Sequence, residues 1–125
     1  MNPLTIILLG LAGGLGAGTR FVVDGLVRSK LRSALPVGTI AINITGSFLL
    51  GLVAGAVIFH AAPVELQAIA GTGFLGGYTT FSTASFETVR LIQSGRTGLA
   101  LANSIGTAVA AVGAAAAGFA MAGLL

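Results

Sequence analysis

Apolar residues fill four long blocks of the chain, and short polar segments separate the blocks. The blocks run from about residues 3 to 23, 36 to 59, 64 to 92 and 98 to 125. A helix needs roughly 20 predominantly apolar residues to cross the hydrocarbon core of a bilayer, and each block reaches that length. The pattern therefore predicts an all-α membrane protein, a single domain of four transmembrane helices that crosses the cell membrane.

The third block contains a polar interruption at its centre. Residues 76–83 read Gly-Gly-Tyr-Thr-Thr-Phe-Ser-Thr, and adjacent glycines with β-branched and hydroxylated residues disfavour a regular helix. Non-helical backbone at membrane depth survives only where protein or a watery cavity satisfies its polar groups. Interrupted helices of this kind also build ion sites in transporters. We predict a break over residues 76–83, in the middle of the membrane.

Small and polar residues recur at every fourth position in the first two spans. The two stripes are Gly10, Gly14 and Gly18 in span one, and Thr39, Asn43, Ser47, Gly51 and Gly55 in span two. Such stripes usually let helix backbones approach closely, so we expect the glycines to serve packing. For Asn43 two interpretations stay open, because a carboxamide in mid-membrane either binds helices together or serves function.

Composition narrows the possible functions. Of the 125 residues, 55% are hydrophobic and 7% are charged, whereas soluble domains carry about 25% charged residues. The chain has no cysteine, one histidine and three acidic residues, which excludes disulfides and thiolate metal sites and leaves no nucleophile–base pair. We predict that the protein is not an enzyme. Its net charge of +3 is better explained by membrane topology than by nucleic-acid binding, because the basic residues cluster between spans.

The polar residues within the spans are hydroxyls and amides. They are Thr39, Asn43, Ser82, Thr83, Ser85, Asn103 and Thr107. All of them can donate hydrogen bonds and none is charged, a combination that suits a small anion better than a cation. The residues alone therefore favour a small-anion pathway.

Three further residues allow two interpretations each. Phe81 could present the positive edge of its ring to an anion, although its spacing favours ordinary packing. Arg20 either snorkels to the interface or supplies positive potential at a pore mouth. Glu87 is expected to pair with Arg90, one turn along the helix.

These residues resemble the Fluc (CrcB) fluoride channel family. The matching motifs are Gly14-x5-Arg20, then Gly38-Thr39-x3-Asn43-x2-Gly46, and the long run Gly73-Phe-Leu-Gly-Gly-Tyr-Thr-Thr-Phe-Ser-Thr83. The similarity extends over the whole chain, including its length and number of spans. The resemblance implies passive export of fluoride, which enters cells as neutral HF and is trapped as the anion.

The resemblance also implies an assembly and a site. The assembly is an antiparallel, dual-topology dimer with two fluoride pores, and a structural sodium ion at its centre is held by the backbone carbonyls of Gly76 and Thr79. The implied fluoride pathway comprises Arg20, Thr39, Asn43, Phe81, Ser82, Thr83, Ser85, Asn103 and Thr107. One departure from the family's pattern is Ala84, which stands where a second pore phenylalanine is common; the next aromatic residue is Phe86.

Charge asymmetry bears on the dimer. The side of the membrane that holds the loops after spans one and three carries five basic residues, namely Arg28, Lys30, Arg32, Arg90 and Arg96. The other side carries none. The positive-inside rule then predicts one orientation, with both termini outside. An antiparallel dimer would need a sibling of opposite bias, so the partner is either the chain itself or a homologous subunit of a one-pore heterodimer.

Two other functions compete with a fluoride channel. A small multidrug-type exporter would need a carboxylate in span one, and residues 3–23 contain none. A non-transporting scaffold would explain the glycine stripes but not Asn43 or the interrupted third span.

Overall fold

The computed structural model describes residues 1–125, and every regular element in it is helical. Three helical stretches are long and apolar enough to cross a membrane: Pro3–Lys30, Val37–His60 and Thr97–Leu124. A fourth stretch, from residue 64 to 93, consists of helical pieces separated by a break. The predicted all-α membrane class is confirmed.

The elements follow one another in four passes. They are α1 (Pro3–Lys30), α2 (Val37–His60), α3 (Val64–Leu66), the π-helix π1 (Gln67–Leu75), α4 (Gly76–Tyr78), α5 (Ser82–Gln93), α6 (Thr97–Leu101), the π-helix π2 (Ala102–Gly106) and α7 (Thr107–Leu124). Helix α2 packs along α7, while α1 packs against π1 and α4. Elements α5 and α6 pack beside each other. The first half of the third pass therefore lies against α1, and its second half, α5, lies against the fourth pass.

Helix α1 is longer than the sequence predicts. It continues seven residues past the expected end at Val23, so Arg28 and Lys30 lie in its last turns and not in a loop. At 28 residues and 1.5 Å per residue the helix spans about 42 Å, more than the roughly 30 Å of a hydrocarbon core. The charged end of α1, which also contains Asp24, therefore reaches the interfacial region.

The break in the third pass is shorter than expected. Gly76 and Gly77 are helical in α4, and the backbone leaves the helix only at residues 79–81 before α5 begins at Ser82. The irregular helix geometry extends toward the N-terminus instead, because the nine residues before Gly76 form the π-helix π1. Single π-helical turns are frequent at functional sites.

Glycine contacts join the helices, but not all of the expected glycines take part. Within the single chain, Gly10, Gly14 and Gly18 contact no other helix, because a Cβ on any of them would meet nothing within 4 Å. The contacts instead use Gly13 and Gly16, which lie against the third pass.

In span two the expected glycine stripe does pack. Gly51 and Gly55 are buried against α7, and Gly118 of α7 lies against the Phe48 carbonyl. The buried apolar core of the chain is small: Ile42, Leu75 and Tyr78 form its centre. Most large apolar side chains are exposed on the outside of the helices, as a lipid-covered surface requires.

Candidate anion pathway

The Asn43 side chain holds the break in the third pass. Its Oδ1 accepts a hydrogen bond from the Thr80 N–H at 2.8 Å, and its Nδ2 donates to the Thr80 carbonyl at 2.9 Å. The amide of α2 thereby satisfies both backbone groups of one non-helical residue. One hydrogen on Nδ2 is left over, since a carboxamide carries two donors.

Two backbone carbonyls lose their regular helical partners at the break. In a continuous helix the Thr80 N–H would bond to the Gly76 carbonyl, but here it donates to Asn43. The Thr83 N–H, which would bond to the Thr79 carbonyl, donates to Thr80 Oγ1 at 3.2 Å. These are the carbonyls of Gly76 and Thr79, the two residues that the family resemblance implies as sodium ligands.

A large groove opens beside the break, with a volume of about 580 Å³. No charged residue lines it, and many of its lining residues are hydroxyl or amide side chains. Among the residues expected in the fluoride pathway or at the cation site, the groove gathers Asn43, Gly76, Thr79, Phe81, Ser85, Asn103 and Thr107.

A second cavity, of about 270 Å³, lies toward the charged end of α1. Arg20, Thr39 and Thr83 line it. Thr80 lines both this cavity and the groove, so it is the residue that the two spaces share. Ser82 lines neither; it is exposed, and its hydroxyl lies 3.5 Å from Thr80 Oγ1.

Asn103 is buried and turned toward α5. Its Nδ2 donates to Thr88 Oγ1 at 2.8 Å and to the Ala84 carbonyl at 3.3 Å, so both amide hydrogens are used within the chain. Its Oδ1 is buried without a hydrogen-bond partner. One turn along, the Thr107 hydroxyl is also buried and unpaired. Of this pair it is therefore Thr107 that has a free donor beside the groove.

The Phe81 ring projects away from its own chain. It is 86% exposed, although it also borders the groove. Phe86 is 62% exposed and does not line the groove. Ala84, which stands where a second pore phenylalanine is common, lines the groove with only a methyl group.

The expected pairing of Glu87 with Arg90 is wrong. Glu87 Oε2 accepts from Arg28 Nη2 at 3.0 Å, and Arg28 Nε is 3.0 Å from both carboxylate oxygens of Asp24. The Glu87 side chain is only 13% exposed because it faces α1, whereas the Arg90 guanidinium lies 5.9 Å from the centre of the Phe86 ring. Arg28 therefore links α1 to α5.

Comparison with known proteins identifies the family. The family model described as CrcB-like protein, Camphor Resistance (CrcB), matches residues 7–119. The chain belongs to the CrcB family. This CrcB chain is 51% identical over 124 residues to Fluoride-specific ion channel FluC 1 of Leifsonia xyli, an alignment that covers 99% of the chain and 90% of the relative.

Other relatives carry similar names. Fluoride-specific ion channel FluC 2 of Cutibacterium acnes is 42% identical, with 94% of the CrcB chain and 97% of the relative covered. FluC 2 of Mycobacterium bovis is 45% identical, with 84% and 80% covered. The relatives are channels by name, which confirms the predicted family, the transport class as opposed to an enzyme, and a multi-pass membrane protein.

Two site residues of the CrcB chain escape sequence reasoning. Thr80 accepts and donates at the centre of the break, and Thr88 receives the Asn103 amide. Thr80 belongs to the third-span motif and could have been chosen from its position directly after Thr79 and two residues before Ser82. Thr88 carries no such signal, because its contact depends on how α5 lies against the fourth pass.

Proposed function

We propose that the chain is a subunit of a fluoride channel that lets fluoride leave the cell passively. The observation that carries the proposal is the uncharged groove, in which hydroxyl and amide donors surround the break held by Asn43. Neutral donors can replace the water of a small anion without binding it so tightly that it cannot leave. The names of the relatives supply the identity of the anion.

Fluoride is strongly hydrated, so a pathway must offer close hydrogen bonds in place of water. Asn43 has one spare amide hydrogen and Thr107 a hydroxyl without a partner. Ser85 lines the same groove. The Phe81 ring edge can add a weak electrostatic attraction. In the smaller cavity, Arg20 would attract the anion and Thr39 would offer a hydroxyl, while the Asp24 carboxylate of the same cavity is paired with Arg28.

A second subunit is part of this proposal. The groove exposes polar groups on the outside of a single chain, and such groups cannot face lipid hydrocarbon at low cost. A partner chain packed over the groove would enclose it, and the exposed Phe81 ring would reach the partner's surface. Two-fold symmetry would then create two equivalent pathways. An antiparallel arrangement comes from the family resemblance.

A central sodium ion is the second component proposed from the resemblance. The freed carbonyls of Gly76 and Thr79 fit that role, because carbonyl oxygens are suitable ligands for a hard cation. Each chain would supply two, and a two-fold axis between the chains would bring four together. The ion would stabilise the break without taking part in conduction.

A one-pore heterodimer with a homologous sibling is the alternative assembly. It is favoured by the basic residues, since Arg28, Arg90 and Arg96 line one cavity at one end of the structure. By the positive-inside rule this end lies in the cytoplasm. No observation favours a proton-coupled exporter, because the one carboxylate in α1, Asp24, is paired with Arg28 at 3.0 Å.

Fluoride efflux from liposomes that contain only this chain tests the proposal. A fluoride electrode should record rapid release after a conducting pathway for the counter-ion is opened, while chloride stays inside. Liposomes without protein are the control. If folded protein releases no fluoride alone or together with a sibling subunit, the proposed function is wrong. Release only in the presence of the sibling supports the heterodimer.

A further inference from the structure

A third cavity lies at the basic end of the molecule, apart from the anion pathway. Its volume is about 430 Å³. The end of α1, the loop before α2 and the turn after α5 surround it. Its polar wall consists of Arg28, Ser33, Glu87, Arg90, Ser94 and Arg96. Three arginines and a single acidic residue thus line one space.

The charge in this cavity is not balanced within the chain. Both acidic residues near it, Asp24 and Glu87, pair with Arg28. The only other acidic residue of the chain, Glu65, lies at the start of the third pass. Arg96 follows the end of that pass, so Glu65 and Arg96 are at opposite ends of it. The Arg90 and Arg96 side chains make no hydrogen bond or ion pair, and the Arg90 guanidinium lies 5.9 Å from the centre of the Phe86 ring. Two positive charges therefore stay without a partner beside the cavity.

We propose that this cavity binds a phosphate group at the membrane interface. Guanidinium forks match the oxygen geometry of phosphate and bind it in a bidentate manner. The Ser33 Oγ accepts from the Leu35 N–H, which leaves its own hydrogen free to donate to a phosphate oxygen. The cavity is much larger than a halide ion, so its size favours an oxyanion with an attached group.

The position in the membrane indicates where the phosphate comes from. Basic pockets between transmembrane helices on the cytoplasmic side bind lipid head groups, and the length of α1 places this end at head-group level. An anionic phospholipid and free inorganic phosphate share the chemistry that the cavity recognises. A binding experiment with both probes separates these two sources.

The test uses native mass spectrometry of delipidated protein with a short-chain phosphatidylglycerol. Because each interfacial Arg contributes about 1 kcal/mol to such binding, Arg96→Gln should weaken lipid binding about fivefold. Arg90→Gln combined with Arg96→Gln should weaken it on the order of 30-fold. Arg32→Gln is the matched control, since Arg32 is an exposed arginine of the same end that does not line the cavity.

The outcomes divide clearly. If the lipid binds and inorganic phosphate does not displace it, the source is lipid; if phosphate alone binds, the source is the soluble ion. The proposal is overturned if neither probe binds, or if Arg32→Gln weakens binding as much as Arg96→Gln does. Gel filtration of each variant checks folding, and the single Arg96→Gln change keeps the test valid should the double variant aggregate.

Discussion

At the scale of single residues, the Asn43 carboxamide pairs with both backbone groups of Thr80, at 2.8 and 2.9 Å. A buried backbone group without a partner costs about 1–3 kcal/mol, so this one side chain makes a non-helical residue tolerable inside the membrane. The same side chain has a spare hydrogen directed away from the pair. In the proposed channel, structural and transport roles would coincide in Asn43.

Replacing Asn43 by aspartate tests whether this residue takes part in transport as well as in packing. A carboxylate would face the Thr80 carbonyl and repel an anion at about 4 Å by about 4 kcal/mol at an effective dielectric constant of 20. We expect Asn43→Asp to lower fluoride efflux at least about a hundredfold and to lower the thermal stability. Gln93→Glu makes the same chemical change at an exposed site and should preserve efflux. Unchanged efflux in Asn43→Asp would remove Asn43 from the pathway.

Phe81 offers a second test, because its ring is 86% exposed in the single chain. Substitution of an exposed side chain changes folding stability by about 0.5 kcal/mol or less, so a loss of transport cannot be attributed to unfolding. We expect Phe81→Ile to reduce fluoride efflux strongly. Phe86→Ile should leave efflux near the parent's rate, since Phe86 does not line the groove. The opposite ranking would mean that Phe86 is the functional ring.

At the scale of elements, close contacts between α2 and α7 use glycines from both helices. Gly51 lies against the Ala115 carbonyl, and Gly118 lies against the Phe48 carbonyl. Lipid supplies no hydrophobic force between helices, so their association depends on packing and on such close approach. These contacts hold α2, and with it Asn43, in place relative to the fourth pass.

A glycine pair within α7 provides a controlled test of that packing. A Cβ at position 118 would overlap the Phe48 backbone, whereas a Cβ at position 113 would meet nothing within 4 Å. Gly118→Ala should destabilise the protein by roughly 1–3 kcal/mol, as overpacking does. Gly113→Ala should be neutral or stabilising by up to about 1 kcal/mol, because alanine favours helix. Thermal unfolding in detergent measures both, and equal effects would contradict the assigned contact.

The sequence predicts elements well and their contacts poorly. Apolar block length locates the spans, and polar character at mid-membrane locates Asn43 and the interruption. The hydrogen-bond partner of Asn43 is the Thr80 backbone, 37 residues further along the chain. No local sequence pattern specifies this partner. The contacting glycines of α1 are Gly13 and Gly16 instead of Gly14 and its stripe, because helix rotation is set by the neighbouring helix. Glu87 selects Arg28 for the same reason.

At the scale of the whole molecule, a polar groove lies open on one side while the charges collect at one end. In the proposed dimer a second chain would cover this groove, and the Phe81 ring beside it is largely exposed. The charged end calls for a single orientation, since Arg28, Arg90 and Arg96 meet there. For an antiparallel dimer these two requirements conflict if every subunit has this sequence. A sibling with the opposite charge bias would resolve the conflict.

Labelling of single cysteines decides between the two assemblies. The chain has no native cysteine, so Val64→Cys and Ala34→Cys can report on the two ends separately; both positions are exposed. Positive-inside orientation predicts that a membrane-impermeant maleimide labels Val64→Cys on intact cells and Ala34→Cys only after lysis. Equal labelling at both positions would show that the chain inserts both ways, and a homodimer would then suffice. One-sided labelling together with fluoride efflux only upon addition of a sibling would mean that the charge bias itself prevents this chain from forming the channel alone.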